Sequence, residues 1–474
     1  MIKIPIWKIT AAASIFLLLP LILFLLFWLS PILSLPILFF IFYCFKPYLS
    51  ELKTNKESFS ISYKALSLGT LIILTWILYG GVGKFGYQNF DYVKHNSIFL
   101  DLMNNSWPVL LKQGESSYYL VYYLGYYIMP ALFGKIGGLA WLEIANVIQV
   151  YIALMLVWFL FLIHAPFKRP LVLLLIFIFW GGLDLFGSYV FYQEYSHQFG
   201  EFPEWWAGAS NFQFTGFSDL LYWVPQHALG GWLTTLLCFY VLQKKMWRIM
   251  PFVVALSLLW TPFATIGLLP FLLIAFFQQN SWKSKIEWCT SRFGLLALLL
   301  LTIFALFYSA SLFDQPFKWQ WEKMGQDEFI PRYILFLILE IGFTSAVFIW
   351  GRKSLPKTLY YFGCLAIAYL VLCPHLYVGV FSDFAMRSSV PMLCSLFLIS
   401  MIIFEKFYSP KISGILFLYL LLCSYSAISD VYRAQKLKHI VLGYSSAATF
   451  DPNGLSMQYL GSPEHPFFKY FSRK

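Results

Sequence analysis

Residues 11–29 of the chain read AAASIFLLLPLILFLLFWL and carry no charged side chain. A helix of about 20 predominantly apolar residues is long enough to cross the hydrocarbon core of a bilayer. Similar runs recur along the whole sequence. Because lipid offers the backbone no hydrogen-bond partner, and because these runs are continuous rather than alternating, they indicate helices rather than barrel strands.

The composition of the whole chain supports the same interpretation. Of the 474 residues, 60% are hydrophobic, 21% are aromatic and 12% are charged, and the mean hydropathy is +0.70. Soluble domains are only about 45–50% apolar. We therefore predict an all-α, polytopic transmembrane bundle of about thirteen spans, at residues 11–29, 32–45, 65–84, 141–163, 170–187, 225–243, 249–265, 266–278, 293–311, 333–350, 358–373, 388–404 and 412–429.

Two of these spans have alternatives. Segment 32–45 is short, and 249–278 is equally compatible with one long helix broken near Trp260-Thr261-Pro262, because proline removes a backbone donor. The N-terminal run follows Lys3 and Lys8 and precedes more hydrophobic sequence without a cleavage site. We therefore interpret it as a retained anchor rather than a signal peptide.

The charges and the cysteines exclude several classes of function. The net charge is +11, but Lys and Arg are scattered in short clusters between apolar runs, which is the pattern of the positive-inside rule. No nucleic-acid partner is expected. The seven cysteines lie almost entirely in apolar runs and lack CxxC spacing, so neither a disulfide framework nor a zinc site is expected.

The basic clusters also give an orientation. All the basic connectors fall on one side, the cytoplasmic side, if residues 85–140 stay wholly on the other. The N-terminus is then cytoplasmic, and the tail is external. Loop 188–224 is also external, with Glu194, Glu201, Glu204 and Asp219 but no Lys or Arg. The basic residues are Lys46, Lys53, Lys56, Lys64, Lys168, Arg169, Lys244, Lys245, Arg248, Lys283, Lys285, Arg292, Arg352, Lys353, Lys357, Lys406 and Lys411.

This orientation divides the chain into three parts. Residues 1–64 form a transmembrane hairpin with a basic cytoplasmic connector, and 430–474 form an external tail. The part between them, 65–429, is a transmembrane module with external loops 85–140, 188–224, 312–332 and 374–387.

Segment 118–138, YYLVYYLGYYIMPALFGKIGG, decides between two topologies. Under the orientation above it lies at the interface or re-enters the membrane. Its six tyrosines favour that placement, because tyrosine prefers the headgroup region. The alternative is that 118–138 is a true span, which would reverse the orientation of all later spans and loops.

Four polar clusters gather on the external face under this orientation. If 91–105 is an interfacial helix, Asp91, Lys94 and His95 share one of its faces, because positions three and four apart are neighbours. The other three clusters are Asp184 in GGLDLFGSYV, Asp219 with His227 in FSDLLYWVPQHALGGW, and Asp383 with Arg387 in HLYVGVFSDFAMRSSVP.

Each cluster also has a purely structural interpretation. Asp91 with Lys94 is equally compatible with a surface ion pair worth about 0–1 kcal/mol, and Arg387 with Asp383 with a pair on an exposed turn. His227 after Pro225 fits a helix start, and Asp184 fits a charge at the headgroups. Glu340 is the one acid deep in a predicted span, where acids are usually paired and often functional.

The functional interpretation combines two of these groups. An acid at the membrane surface can act as general base toward a hydroxyl, and an external arginine can hold a phosphate with two parallel N–H donors. These are the parts needed to move a group from a lipid phosphate carrier to an acceptor.

The sequence resembles the GT-C superfamily of integral membrane glycosyltransferases. The resemblance rests on a long first external loop with an acid soon after a span, followed by the tyrosine-rich segment 118–138. More narrowly, DYVKHNSIFLDLMNNSWPV, LYWVPQHALGGW, FSDFAMRSSVP and QYLGSPEHPFFKYF resemble blocks of a prokaryotic multi-pass membrane protein family without an assigned activity. These blocks run from residue 91 to residue 470.

The resemblance implies an inverting transferase of the cell membrane that uses a polyprenyl-phosphate-linked sugar. Asp91 would be the general base. The donor phosphate would be held by Arg387, Lys94 and His95. The acceptor could be a glycan, a lipid or a protein. Hydroxyls of the sugar or acceptor would be bound by Asp101, Asp184, Asp219, His227 and Asp383.

The chain departs from the superfamily in two respects. Many members carry two adjacent acids in the first loop, whereas Asp91 is followed by Tyr92. A divalent metal is therefore conceivable but unsupported, and no cofactor is expected. The spans before residue 65 are also additional to the shared core.

Two other functions remain open at this stage. One is a transporter or flippase of lipid-linked sugars, which would place charges along a central path. The other is a non-enzymatic assembly protein of the envelope. A large cavity lined by both Asp91 and Arg387 would favour the enzyme, and a tunnel open to both sides would favour transport.

Overall fold

The computed structural model describes residues 1–165, 167–191, 203–208, 211–314, 317–379, 381–437, 442–448 and 455–473. Glu194 and Glu201, which contribute to the predicted orientation, lie outside these residues. Within them the chain is mostly helical. The helices of the first half are α1 (Ile6–Trp28), α2 (Pro31–Lys53), α3 (Tyr63–Tyr79), α4 (Asp91–Asn104), α5 (Ile128–Gly137), α6 (Leu139–His164), α7 (Pro170–Ile178), α8 (Asp184–Val190), α9 (Phe217–Trp223), α10 (Pro225–Gln243) and α11 (Met250–Ala255).

The second half continues the same pattern of apolar helices joined by short connectors. Its helices are α12 (Pro262–Gly267), α13 (Leu269–Phe277), α14 (Trp282–Cys289), α15 (Arg292–Tyr308), α16 (Gln320–Met324), α17 (Gln326–Gly351), α18 (Lys357–Leu372), α19 (Asp383–Ser388), α20 (Val390–Lys406), α21 (Pro410–Cys423) and α22 (Tyr425–Lys436).

Among the described residues, six helical segments are long and apolar enough to cross a membrane. Two bent pairs, α14 with α15 (54°) and α21 with α22 (47°), pass the same test when each pair is counted as one span. The protein is therefore a helical, polytopic membrane protein, and the count of thirteen spans stays a prediction. The six segments are Ile6–Trp28, Pro31–Lys53, Leu139–His164, Gln326–Ser354, Lys357–His375 and Asp383–Lys406.

Predicted span 170–187 differs from the structure, because it is not one continuous helix. The chain leaves the helical path between α7 and α8, where the Leu183 N–H donates to the Leu339 carbonyl at 3.0 Å. At Gly182 a Cβ would lie 2.1 Å from Glu340 Oε2. A side chain at position 182 would therefore have to displace the Glu340 carboxylate of α17.

Region 249–278 is broken where the proline predicts. It consists of α11, α12 and α13, and Pro262 stands in the first turn of α12. Just before the break, Trp260 Nε1 donates to the Leu17 carbonyl of α1 at 3.1 Å. This hydrogen bond attaches the N-terminal hairpin to the bundle at the break.

Short strands join distant connectors. Strand β1 pairs with β2, β3 with β4, β4 with β7, and β5 with β6, all antiparallel. Segment 118–138, which is fully described, contains part of β4, a helical turn and α5. A ten-residue helix such as α5 is about 15 Å long, half of a bilayer core. The strands are β1 (Ile2–Pro5), β2 (Ser58–Ile61), β3 (Leu110–Gln113), β4 (Ser116–Leu120), β5 (Phe317–Trp319), β6 (Leu376–Val378) and β7 (Leu460–Gly461).

The strands also fix which segments share a side. Pairing of β1 with β2 puts the N-terminus beside connector 46–64. At the other end of α1, the Arg473 N–H donates to the Trp28 carbonyl at 2.9 Å. Because α1 has spanning length, the connector and the C-terminal tail lie at opposite ends of it. The tail lies on the side of loop 85–140, since β7 pairs with β4.

The N-terminal hairpin is not a separate unit. Helix α1 packs against α6 and α10, and its buried residues belong to the same continuous hydrophobic core as the rest of the chain. Helix α10 is buried from Pro225 to Leu242 and occupies the centre of the bundle. Residues 1–64 and 65–429 therefore fold around one core.

Candidate functional site

A cavity of about 780 Å³ lies where α4, α9, α12, α19, α22 and the C-terminal tail meet. This volume is within the range of sites that enclose small organic molecules. Five of the nine site residues predicted from the sequence line the cavity, namely Asp91, Lys94, Asp219, Asp383 and Arg387.

Asp91 and Lys94 form the first pair in the cavity wall. Asp91 is the first residue of α4, and its N–H donates to Asn89 Oδ1 at 3.1 Å. Lys94 lies one turn later on the same face, with Nζ 2.8 Å from Asp91 Oδ2. Both side chains are largely buried, so this pair is not the exposed surface pair of the structural interpretation.

Arg387 and Asp383 form the second pair, one turn apart on α19. A guanidinium nitrogen of Arg387 lies 2.6 Å from Asp383 Oδ1. The loop before α19 wraps closely around the carboxylate, because a Cβ at Gly379 would lie 2.2 Å from Asp383 Oδ2. Arg387 Nε is buried and bonds to none of the described residues. The Arg387 side chain also lines the cavity.

Three tyrosines line the cavity beside Arg387. Tyr123 hydrogen-bonds Arg387, and its ring stacks on Tyr122 with centroids 4.5 Å apart. The ring of Tyr459 in the C-terminal tail meets Tyr122 edge to face at 5.0 Å. We call Asp91, Lys94, Asp383 and Arg387 the paired cluster.

The electrostatics of the paired cluster favour an ionised Asp91. Burial raises the pKa of its carboxyl, but the charges of Lys94 and, at longer range, Arg387 lower it by more. The net pKa lies below the usual range of an aspartate. At neutral pH the group is a carboxylate, the form that can accept a proton.

A second group of charges lines the same cavity, and of its members only Asp219 was predicted as a site residue from the sequence. Asp219 hydrogen-bonds both Glu204 and Asp430. Asp430 Oδ1 also accepts from Arg433 at 2.8 Å, and its Oδ2 accepts from Trp223 Nε1 at 3.2 Å. We call Glu204, Asp219, Asp430 and Arg433 the acidic cluster.

Burial dominates the electrostatics of the acidic cluster. It raises the pKa of Glu204 well above the usual range, and the charge of Asp219 raises it further. Burial likewise raises the pKa of Asp219, with Asp430 adding to the effect. These acids keep protons at pH values where Asp91 is ionised.

Aromatic rings lie between the two clusters. The Phe90 ring, next to Asp91, lies edge to face on Trp223 at 5.0 Å and on Trp205 at 6.2 Å. Trp205 follows Glu204, and Trp223 donates to Asp430. Phe90 therefore joins the start of α4 to the two tryptophans beside the acidic cluster.

Two predicted site residues on α4 have other partners. His95 is fully buried, with Nδ1 2.7 Å from Tyr127 Oη and Nε2 3.0 Å from the Trp223 carbonyl. Burial lowers the pKa of His95 to about 3, so its ring is neutral at neutral pH. Asp101 Oδ2 accepts the Ala447 N–H at 2.7 Å, and burial raises its pKa to about 6. Neither side chain lines the cavity.

The remaining two, Asp184 and His227, are also outside the cavity lining. His227 Nδ1 lies 2.6 Å from Thr261 Oγ1, at the break before α12. Asp184 is buried at the start of α8 rather than exposed at a headgroup. Its carboxylate accepts a hydrogen bond from Ser426 Oγ at 2.8 Å. It also hydrogen-bonds Glu340.

Glu340 therefore has the partner that the sequence did not reveal. Trp206 Nε1 donates at 3.2 Å to both Glu340 Oε1 and Asp184 Oδ1. Asp184 and Trp206 belong to segments that precede α17 by more than a hundred residues, and spacing along one helix does not identify such partners.

Among the described residues, no group of three or more His, Cys, Asp or Glu side chains is arranged to hold a metal ion. Comparison with protein-family profiles, with curated proteins and with solved structures gives no match.

Proposed function

We propose that the protein is a GT-C-like membrane glycosyltransferase that moves a sugar from a polyprenyl-phosphate carrier to an acceptor hydroxyl with inversion. The proposal includes the finer architecture, a bundle of about thirteen spans with interfacial helices in the first external loop. It also includes a cytoplasmic N-terminus and a site on the non-cytoplasmic face of the cell membrane.

One observation supports this proposal most directly. Asp91 and Arg387 lie on different helices almost 300 residues apart, yet both line one cavity. A carboxylate and a guanidinium thus line one cavity, which supports the proposed transfer from a phosphate carrier. The volume of the cavity is sufficient for a sugar and its phosphate.

The chemistry follows from the charges. The Asp91 carboxylate accepts the proton of the acceptor hydroxyl while that oxygen forms a bond to the anomeric carbon. The bond between that carbon and the phosphate oxygen breaks, and its electron pair stays on the departing polyprenyl phosphate. Attack from the opposite face inverts the anomeric configuration.

Arg387 and Lys94 stabilise the leaving group. The phosphate gains negative charge as it departs, and a buried guanidinium stabilises that charge more strongly than water does. Asp383 orients Arg387 through the 2.6 Å pair. Lys94 pairs with Asp91 in the structure. As Asp91 becomes neutral and the phosphate becomes more negative, the ammonium of Lys94 interacts less with Asp91 and more with the phosphate.

The direct test is transfer by purified protein in detergent or nanodiscs. Labelled polyprenyl-phosphate sugars would be incubated with a panel of hydroxyl acceptors, and the products separated by chromatography. Asp91→Asn should abolish transfer, whereas Asp327→Asn, an exposed acid at the start of α17 away from the cavity, should retain it. No transfer with any donor, or equal transfer by Asp91→Asn, would overturn the proposal.

Transport of a lipid-linked sugar is the second candidate. The Asp184–Glu340 pair favours it, because Glu340 lies within a helix of spanning length and carboxyl pairs inside membrane bundles often belong to transport or proton pathways. Flux of a fluorescent lipid-linked sugar across proteoliposomes, lost in Glu340→Gln but kept in Asp91→Asn, would favour transport over transfer.

A further inference from the structure

We infer that the acidic cluster is a binding subsite for a primary ammonium group, carried by the acceptor substrate. The assignment to the acceptor rests on the proposed function. The assignment of ammonium chemistry does not, because it follows from the hydrogen bonds and charges of the cluster.

The first argument is that protons join the three carboxyls of the acidic cluster. Asp219 bonds to Glu204 on one side and to Asp430 on the other. A hydrogen bond between two carboxyls needs an O–H in one of them, and one O–H serves one such bond. Without a ligand, these three carboxyls are therefore joined by shared protons. Arg433 balances the remaining charge on Asp430 at 2.8 Å.

The second argument is a hydroxyl without a partner. Thr215 is only 5% exposed, lines the cavity with these acids, and its Oγ1 bonds to none of the described residues. A buried polar atom normally has a partner. Thr215 stands directly before Gly216, whose N–H donates to Glu204 Oε1 at 2.5 Å. Thr215, with its unsatisfied hydroxyl, therefore adjoins a residue that contacts an acid of the cluster.

An ammonium group satisfies all of these atoms together. It offers three N–H donors and no acceptor, which matches one oxygen each from Glu204, Asp219 and Thr215. Its charge replaces the protons that join the carboxyls when the site is empty. Nearby, Trp205 and Trp223 line the same part of the cavity, and aromatic faces attract cations. A neutral polyol would instead leave the protons in place.

Other charges act on this subsite from behind the cavity wall. The carboxyls of Asp184, on α8, and Glu340, on α17, raise the pKa of Glu204. Both therefore increase the tendency of the subsite to bind a cation. Arg433, on α22, is the one cation of the cluster and opposes it. Proton release on binding will report on this whole set of groups.

The test is binding rather than turnover. Isothermal titration of the full-length protein with D-glucosamine, D-glucose and N-acetyl-D-glucosamine compares one amine with two neutral sugars of similar shape. We expect glucosamine to bind at least roughly tenfold more tightly, a difference of about 1.4 kcal/mol. Heats in two buffers of different ionisation enthalpy should show release of protons. Equal affinity for glucose, or no proton release, would overturn the inference.

Three variants locate the binding. Asp219→Asn and Thr215→Val should each weaken glucosamine binding, and Asp327→Asn should not. Because Asp219→Asn could disturb folding, Gly216→Ala provides a second test. Its Cβ would lie 3.0 Å from Glu204 Oε1 and 3.2 Å from Asp219 Oδ2, which obstructs the subsite while keeping both acids. Undiminished binding by folded Gly216→Ala and Thr215→Val would contradict the assignment.

The outcomes also separate this inference from the proposed function. Amine binding that survives in a protein without transferase activity would keep the subsite and remove the transferase. Asp91-dependent transfer to neutral acceptors, with no preference for amines, would do the reverse. Displacement of glucosamine by Ca²⁺ or Mg²⁺ at equal concentration would identify a metal site and overturn the inference.

Discussion

The paired cluster and the acidic cluster line one cavity but neutralise their charges differently. The paired cluster holds two acids and two cations, with contacts of 2.8 Å between Asp91 and Lys94 and 2.6 Å between Asp383 and Arg387. The acidic cluster holds three acids and one cation, so protons balance the difference. The fixed charges of the paired cluster suit a reaction that needs a base and a cation that binds an anionic leaving group. Exchangeable protons suit a subsite whose charge changes with its occupant.

The largest effect is expected when the base of the paired cluster is removed. Asp91→Asn keeps the shape of the side chain but not its ability to take a proton. Loss of a general base typically lowers the rate by about 10²–10⁴. We expect that loss in single-turnover transfer assays, with unchanged expression and membrane insertion. Near-normal transfer would move the base to Asp219 and make the acidic cluster the reacting one.

The next effect concerns Arg387, the residue proposed to bind the donor phosphate. Arg387→Ala should lower the rate by about 10²–10³, the usual cost of removing one donor from developing negative charge. Arg387→Lys should retain part of the activity, because an ammonium keeps the charge but loses the two parallel donors. Donor binding, measured by displacement of a fluorescent polyprenyl phosphate, should weaken in the same order.

A purely structural role for the Arg387–Asp383 pair predicts a different pattern. Arg387→Ala would then lower the melting temperature, and Asp383→Ala/Arg387→Ala would recover it and remain active. An active double variant would remove Arg387 from the phosphate site and leave the donor-binding part of the cavity unassigned.

The two clusters should also respond oppositely to pH. The pKa of Asp91 is lower in the folded protein than in the unfolded chain. Its stabilisation is therefore present above about pH 4 and lost as the pH falls through the folded pKa. The pKa values of Glu204 and Asp219 are raised. Their stabilisation is present below about pH 4 and lost as the pH rises through the folded values.

Melting temperatures of three variants from acid to alkaline pH measure this difference. Relative to wild type, Asp91→Asn should be less stable at neutral pH, with the difference shrinking in acid. Asp219→Asn should be least stable relative to wild type in acid, with the difference shrinking toward alkaline pH. Asp327→Asn should follow the wild type. Parallel curves for the first two variants would mean that both clusters neutralise charge in the same way.

The smallest effect is a change in labelling alone. The proposed orientation places loop 85–140 and the C-terminal tail on one side of the membrane, and connector 46–64 on the other. Single cysteines at the exposed positions Glu115 and Glu464 should react with a membrane-impermeant maleimide in intact cells, and one at Lys56 should not. The background would carry Cys289→Ser and Cys364→Ser, since these two thiols are exposed. Labelling at Lys56 alone would reverse the proposed orientation.

The sequence predicted the paired cluster far better than the acidic one, for a physical reason. Asp91 and Lys94 stand one turn apart, as do Asp383 and Arg387, so the helical repeat alone brings each pair together. The predicted helix 91–105 is α4, Asp91–Asn104. That the two pairs face one cavity depends on tertiary packing, and only a resemblance suggested it.

The acidic cluster draws on three separate segments, and no local repeat joins them. Glu204, Asp219 and Asp430 lie before α9, within α9 and within α22. The one available signal was a loop, 188–224, with acids and no Lys or Arg. From this loop only Asp219 was predicted as a site residue, and Glu204 served for the orientation alone. Likewise, the interruption between α7 and α8 arises from the approach to Glu340, which a run of apolar residues does not reveal.

The contacts of the C-terminal tail set an order of assembly. Tyr459 completes the wall around Tyr122, and β7 closes the sheet begun by β3 and β4. The spanning helices emerge from the ribosome before this segment does, so the bundle is inserted in the lipid while its cavity still lacks one wall. The cavity is therefore incomplete throughout insertion, and it first closes when the tail docks against the first loop.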